Sequence, residues 1–175
     1  MKSLWLAAKN ILYVIIVPGV IAGWLPLRIF ERHPKWPAGW GWAQWTAVTL
    51  AVLAIVVFLH SVWVFAVRGQ GTPSFLDPPK KLTRRGPYRW VRNPMCLASF
   101  VLVGAEALFF RSGHIAVYLV CLICVLHLLV LLHEENNLRF RHGAVYEDYK
   151  REVPRWLPRK PRPVLETRPP FDLRN

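Results

Sequence analysis

The sequence predicts an all-α polytopic membrane protein of about four transmembrane helices, with spans three and four paired as a helical hairpin and a C-terminal amphipathic cap. Three observations predict it. Hydrophobic residues make up 54% of the 175-residue chain, yet its formal charge is +13. The two coexist when long apolar runs alternate with basic loops. The runs have bilayer length, and Lys and Arg fall very unevenly between the two sides they define.

The runs cover about 4–27, 42–67, 95–110 and 114–138. About 20 apolar residues in a helix cross the hydrocarbon layer, and a helix is the form that pairs its own backbone groups there. The first run has only Lys9 and Asn10 as strongly polar residues. It is long, contains Pro18 and lacks a small-x-small cleavage site, so it reads as a retained helix rather than a signal peptide. The second has no charge from Trp42 to Val67. The third, with Glu106 as its one charge, is short and must tilt little or sit where the membrane thins. The fourth is uncharged from His114 to Leu132 and is expected to run past the bilayer into Glu134, Glu135 and Leu138.

Between the runs, Gly23 to Pro37 is expected to turn the chain outside the membrane, and Trp36, Trp40, Trp42 and Trp45 form an aromatic belt. Gly69 to Pro79 reads as a Gly/Pro-rich loop. Arg111, Ser112 and Gly113 make a tight turn, which pairs the third and fourth spans. Tyr146 to Val153 forms an amphipathic stretch stopped by Pro154. Residues 1–158 read as one domain, and the Pro/Arg-rich tail 159–175 is expected to be mobile.

With four spans, nineteen Lys and Arg lie on one side and four on the other. This places both termini in the cytoplasm. The excess positive charge matches anionic headgroups rather than nucleic acid. Cys121 and Cys124 form a C-x-x-C inside an apolar helix, with no polar neighbours to lower a thiol pKa, and read with Cys96 as small apolar filler.

Two segments are too polar for their positions. Gly86 to Pro94 enters the third span, and His133 to Asn137 leaves the fourth. The hairpin brings both to one membrane face, so Arg92 and Asn93 can approach Glu134 and Glu135. Such a cluster at the headgroup boundary is a functional candidate; the alternative is a solvated helix end in which Glu134 pairs with Arg92. His133-Glu134 opens like H-E-x-x-H, but Asn137 stands at the second histidine, so no zinc site is expected. His60 and His127 read as packing residues, and Glu106 as snorkelling toward Arg111 or water.

Gly86-Pro87-Tyr88, Arg92-Asn93-Pro94, Glu134-Glu135, Leu138, Gly143, Tyr146, Tyr149 and Val153-Pro154-Arg155 follow one another in an order that resembles the isoprenylcysteine carboxyl methyltransferase and phospholipid N-methyltransferase superfamily, over roughly residues 80–158. The resemblance implies a membrane-embedded enzyme using S-adenosylmethionine (SAM) without a Rossmann domain. It implies that Leu82, Thr83, Tyr88, Asn93, Pro94, Met95, Cys96 and Glu134 bind the cofactor. Two positions depart from the family pattern: Asn93 stands for its usual histidine and Cys96 for its usual tyrosine. Asparagine can hydrogen-bond but cannot relay a proton.

Methyl transfer also suits the residues themselves. A sulfonium donor is already activated, so the protein needs only to align the reactants and exclude water. Glu134 is expected to hold the amino or ribose groups of the cofactor, Arg92 to meet an anionic substrate bidentately, and Glu135, Tyr146 and Tyr149 to serve the lid and its packing. Lys80, Lys81, Arg84, Arg85 and Arg89 ring the mouth and favour a membrane amphiphile with a phosphate or carboxylate: a phospholipid amine or an isoprenylcysteine-type carboxylate. The rival readings are a non-catalytic scaffold of the same fold and an NADPH-dependent membrane reductase.

Overall fold

The computed structural model describes residues 18–68 and 82–160. Within them the chain is helical, and no strand occurs. A π-helical turn, Val20–Trp24, leads into α1 (Leu25–Arg32); α2 is Trp42–Arg68, α3 Pro94–Phe109, α4 Gly113–Leu129 and α5 Glu135–Glu152. A 3-10 turn, Gly86–Arg89, precedes α3, and a π-helical turn, Val130–Glu134, joins α4 to α5.

Two of these helices are long and apolar enough to cross a bilayer. They run over Trp42–Phe65 and over Gly113–Glu152, with the shorter apolar helix Pro94–Phe109 between them. The 40 residues from Gly113 to Glu152 break at Gly143, and the stretch before the break extends about 45 Å at 1.5 Å per residue, beyond the hydrocarbon thickness of about 30 Å. The apolar part ends at Leu132, so Glu134, Glu135 and α5 lie beyond the crossing segment. Most of the first run lies outside the described residues, as do the loop 69–79, Lys80 and Lys81 of the expected basic ring, and the tail beyond residue 160. The remainder of that run is helical through Arg32, past the expected turn at Gly23. Pro26 stands four residues after Ala22, whose non-helical backbone kinks the segment where a proline removes the i→i−4 bond, and buried Phe30 holds the helix to the core.

The α2–α3 contact is a seam of small side chains. Ala47, Ala54 and Ser61 recur every seven residues along α2 and are almost fully buried, as are Ala98 and Ala105 on α3. Small residues let two helices approach closely where lipid offers no hydrophobic drive to associate. The other face of α3 packs on α4 and α1 through Phe30, Phe100, Val103, Ile115 and Leu122. The hairpin turn is as tight as expected. Arg111 adopts φ 48°, and the Ser112 hydroxyl caps α4 by accepting from the Ile115 N–H at 3.4 Å.

At the tryptophan-bearing end, Trp36, Trp40, Trp42 and Trp45 are all at least 60% exposed, as an interfacial belt requires. Gln44 is buried there. It accepts from the Gly41 N–H at 3.0 Å, the reach-back half of a helix cap, and donates to the Phe109 carbonyl at 3.2 Å. The antiparallel arrangement of α2 and α3 therefore leaves the opposite end to the polar motifs.

Candidate functional site

The motif end is assembled from three stretches far apart in sequence. Gly86 opens the 3-10 turn at φ +57°, and a Cβ there would stand 3.0 Å from Val64 Cγ2 and 3.3 Å from His60 Nε2. Only glycine combines that left-handed backbone with so close an approach to α2. The turn thus lies directly against α2 and aims Tyr88 inward, where it is buried. Its carbonyl accepts from the Tyr149 hydroxyl of α5 at 2.7 Å.

The short stretch expected over 146–153 is the part of α5 beyond Gly143, whose φ of 49° interrupts the helix; before that break α5 continues α4 through the π-turn. The kink folds Tyr146, Tyr149 and Val153 into a second small core that Leu82 and Leu138 complete. Arg84 seals its edge, donating to the Val145 carbonyl and lying 5.3 Å above the Tyr149 ring.

Beyond Pro154 the chain turns back as a strap. The Arg92 N–H donates to the Pro154 carbonyl at 2.9 Å, and the Arg159 N–H to the Trp90 carbonyl at 3.0 Å. Between these points Arg155 grips Glu135 through two parallel bonds of 2.6 and 2.9 Å. Trp156 inserts against Phe100 and donates from its indole to His127 Nδ1 at 2.9 Å. His127 is therefore a hydrogen-bonded packing residue, as its apolar setting suggested.

The two adjacent glutamates have different fates. Glu135 is buried and carries both Arg155 and Arg92, the latter at 2.9 Å; Arg92 also reaches the Tyr146 hydroxyl at 3.2 Å. Burial alone would raise its carboxyl, but the hydrogen bond from Arg155 and the charge of Arg92 outweigh burial and hold it below the usual carboxylate range. Arg92 therefore pairs with Glu135 rather than Glu134. Glu134 makes no ion pair among the described residues. Burial, and then the charge of Glu135, push it up to about 7 against the opposing pull of Arg92.

Glu134 lies within electrostatic reach of Tyr88, Cys96, Tyr146 and Tyr149. Burial, and next the Glu134 charge, drive the Tyr88 phenol well above its ordinary range, so it is a neutral donor. Asn93 and Pro94 are buried at the start of α3, with Asn93 as its N-cap residue and Pro94 in the first turn. Cys96 is partly buried against the hairpin core, whereas Cys121 and Cys124 are free thiols exposed on α4. Three buried polar atoms at this end lack hydrogen-bond partners among the described residues: Thr83 Oγ1, Arg92 Nε and, on α5, His142 Nε2. A fourth, Glu106 Oε2, lies far along α3 and makes no hydrogen bond to Arg111.

Sequence reasoning did not find the Arg155 clamp, the Trp156 insertion or the Gln44 bridge. No spacing rule links Glu135 to Arg155, because the chain reverses at Pro154 before they meet. Gln44 left one signal, as the single amide between Trp42 and Trp45 at the start of an apolar run.

No curated protein and no solved structure matches the chain. A family model for phospholipid methyltransferases matches residues 42–144, from the start of α2 into α5. The match spans more than half of the 175 residues and includes the Gly86 turn, the start of α3 and both glutamates. The chain is an integral membrane protein that belongs to the phospholipid methyltransferase family.

Proposed function

We propose that the protein transfers a methyl group from SAM to a membrane amphiphile at the cytoplasmic membrane face. The observation that carries this reading is Glu134: a partly buried carboxyl that makes no ion pair among the described residues, beside a glutamate clamped by two arginines. A cationic ligand bound beside it would supply the direct ion pair that Glu134 lacks among the described residues. Thr83 Oγ1 supports the same reading, because a buried hydroxyl left unpaired costs about 1–3 kcal/mol unless a ligand satisfies it.

The residues present fit the cofactor. Glu134 would take its amino or ribose groups, Tyr88 and Asn93 would donate hydrogen bonds, and Leu82, Thr83, Pro94, Met95 and Cys96 would wall the site. SAM supplies an electrophilic methyl on sulfonium sulfur, so the chain need provide neither a nucleophile nor a metal. The tasks left to these residues are binding, alignment and exclusion of water. Asn93 and Cys96 limit the proton chemistry available, which suits an acceptor that reaches the site already nucleophilic. Arg92, held by Glu135 and Tyr146, keeps Nε as its one buried free donor for a phosphate or carboxylate on the acceptor.

The acceptor is an amphiphile because the described chain offers little beyond its membrane helices to enclose a water-soluble one. With the four spans that the apolar runs suggest, the charge asymmetry puts both termini in the cytoplasm. Binding of labelled SAM and labelled NADPH to the purified full-length protein tests the assignment. SAM binding, followed by label moving into the organic phase from a total lipid extract, supports it. NADPH binding alone favours a reductase, and binding of neither favours a scaffold.

A further inference from the structure

Glu106 is the one charge in α3, and the periodicity of that helix sets its surroundings. It stands three residues after Val103 and four before Phe110, so the three share a face. Val103 and Phe110 pack in the hairpin core together with Ile21, Ala22 and Tyr118, and α3 lies against the π-turn Val20–Trp24. Glu106 therefore stands where α3, α4 and the π-turn meet, one helical turn from the tryptophan-bearing end. Its Oε2 is buried and has no hydrogen-bond partner among the described residues.

An ionisable side chain in a membrane helix is costly and calls for a partner. No basic residue supplies one. Arg28 pairs with Glu31 at 3.0 Å, His33 and His114 stack on each other, and Arg111 makes no hydrogen bond to Glu106. What faces Glu106 is oxygen. Pro26 has no N–H to offer the carbonyls four and five residues before it, Ala22 in an α-helix and Ile21 in a π-turn. The segment breaks there, with Ala22 at φ −112° and ψ 18°. The Ile21 carbonyl accepts instead from the Tyr118 hydroxyl at 2.7 Å. With its proton so used, Tyr118 Oη presents only lone pairs, and it lies within electrostatic reach of Glu106.

We propose that Glu106, the Tyr118 hydroxyl and the backbone carbonyls of the π-turn form a site for a sodium ion that enters from the tryptophan-bearing face. The group is a set of acceptors without a donor. A proton on Oε2 would need an acceptor within hydrogen-bond reach, and Oε2 has none. A cation bridges oxygens that stand farther apart: calcium, close to sodium in radius, bonds each at about 2.4 Å, and so joins ligands up to about 5 Å from one another. One carboxylate balances one positive charge, whereas a divalent ion would leave a net charge in hydrocarbon. Broken membrane helices offer their carbonyls to sodium in this way. Bound there, the ion ties the π-turn to the hairpin. The site lies about 15 Å along α3 from Cys96 and draws on no residue of the Glu134 site, so it holds independently of methyl transfer.

Equilibrium dialysis of the purified full-length protein against radioactive sodium, with choline chloride holding the ionic strength constant, tests the site. Saturable binding of one ion per chain is expected, competed by unlabelled sodium and not by magnesium at the same concentration. Sodium chloride should also raise the unfolding temperature in detergent above that in choline chloride. Glu106→Gln, equal in shape but uncharged, should abolish both effects and leave SAM binding unchanged. Tyr118→Phe, which keeps the ring and removes the oxygen, should weaken sodium binding. The dialysis of wild type decides the matter even where a variant folds poorly. Absence of saturable sodium binding by wild type, or binding that survives in Glu106→Gln, would overturn the site. So would a stability that varies with pH, ignores sodium and is levelled by Glu106→Gln, since that marks a proton on Glu106 in place of a metal ion.

Discussion

The two ends of the helix bundle are built by different physics. At the tryptophan end, aromatic rings sit at an interface and one buried amide bridges neighbouring helices: Gln44 joins Gly41 and Phe109. At the motif end, ion pairs and hydrogen bonds join segments 20 to 61 residues apart, from Arg84 and Arg92 to Glu135, Tyr149 and Arg155. An aromatic belt anchors a protein in its membrane without requiring a unique arrangement. A buried ionic cluster tolerates only one, because each unpaired charge there is expensive. The precision needed for chemistry is found at that end.

The sharpest way to break the comparison is to cut the cluster at its centre. Glu135→Gln should destabilise the fold by about 3–5 kcal/mol, since it leaves the buried Arg92 without its counter-charge. Thermal unfolding in detergent measures this, and a variant as stable as wild type would mean the pair is dispensable.

Glu134→Gln should separate binding from stability. SAM affinity should fall by about 1.5–3 kcal/mol, the range for a hydrogen bond to a charged group, while the fold survives. The two glutamates should also respond oppositely to pH. The folded pKa of Glu134 is raised from 4.5 to about 7, so its contribution to stability is full below 4.5 and is lost as pH rises through about 7. Glu135 lies below 4.5, so its contribution is present above that value and lost as pH falls through its lowered pKa. Binding of a cation by Glu134 needs the ionised form, so SAM affinity should rise with pH through about 7, and the dependence should flatten in Glu134→Gln. A profile unchanged by that substitution would remove Glu134 from the site.

Gly86→Ala should cost about 1–3 kcal/mol through left-handed backbone strain and contact with Val64. Because the turn carries Tyr88, SAM binding should weaken with it; a variant that loses stability but binds normally would uncouple the turn from the site. At the opposite end, Gln44→Ala should cost about 1–3 kcal/mol for the groups it leaves unpaired, with SAM affinity per folded molecule unchanged. The smallest effect expected is from Tyr149→Phe, about 1 kcal/mol for one hydrogen bond, read as earlier unfolding of α5 by hydrogen exchange.

The sequence by itself determined the helical membrane architecture, because apolar run length and backbone pairing in hydrocarbon leave few alternatives. It determined the tight hairpin at Arg111 to Gly113, and with it the meeting of the Gly86–Pro94 and His133–Asn137 segments at one face. Ordered motifs carried the family. Only the tertiary structure decided which glutamate meets Arg92. Glu134 and Glu135 are neighbours about 100° apart on a helix, and no pattern in the chain says which of the two faces the arginine. That choice rests on the π-turn at Val130–Glu134, on the kink at Gly143 and on the reversal after Pro154 that brings Arg155 back. Each is a backbone event whose direction depends on what it packs against. The surroundings of Glu106 are of the same kind: a lone glutamate in an apolar run signals a function, but which oxygens face it is settled only when the π-turn and both hairpin helices are in place.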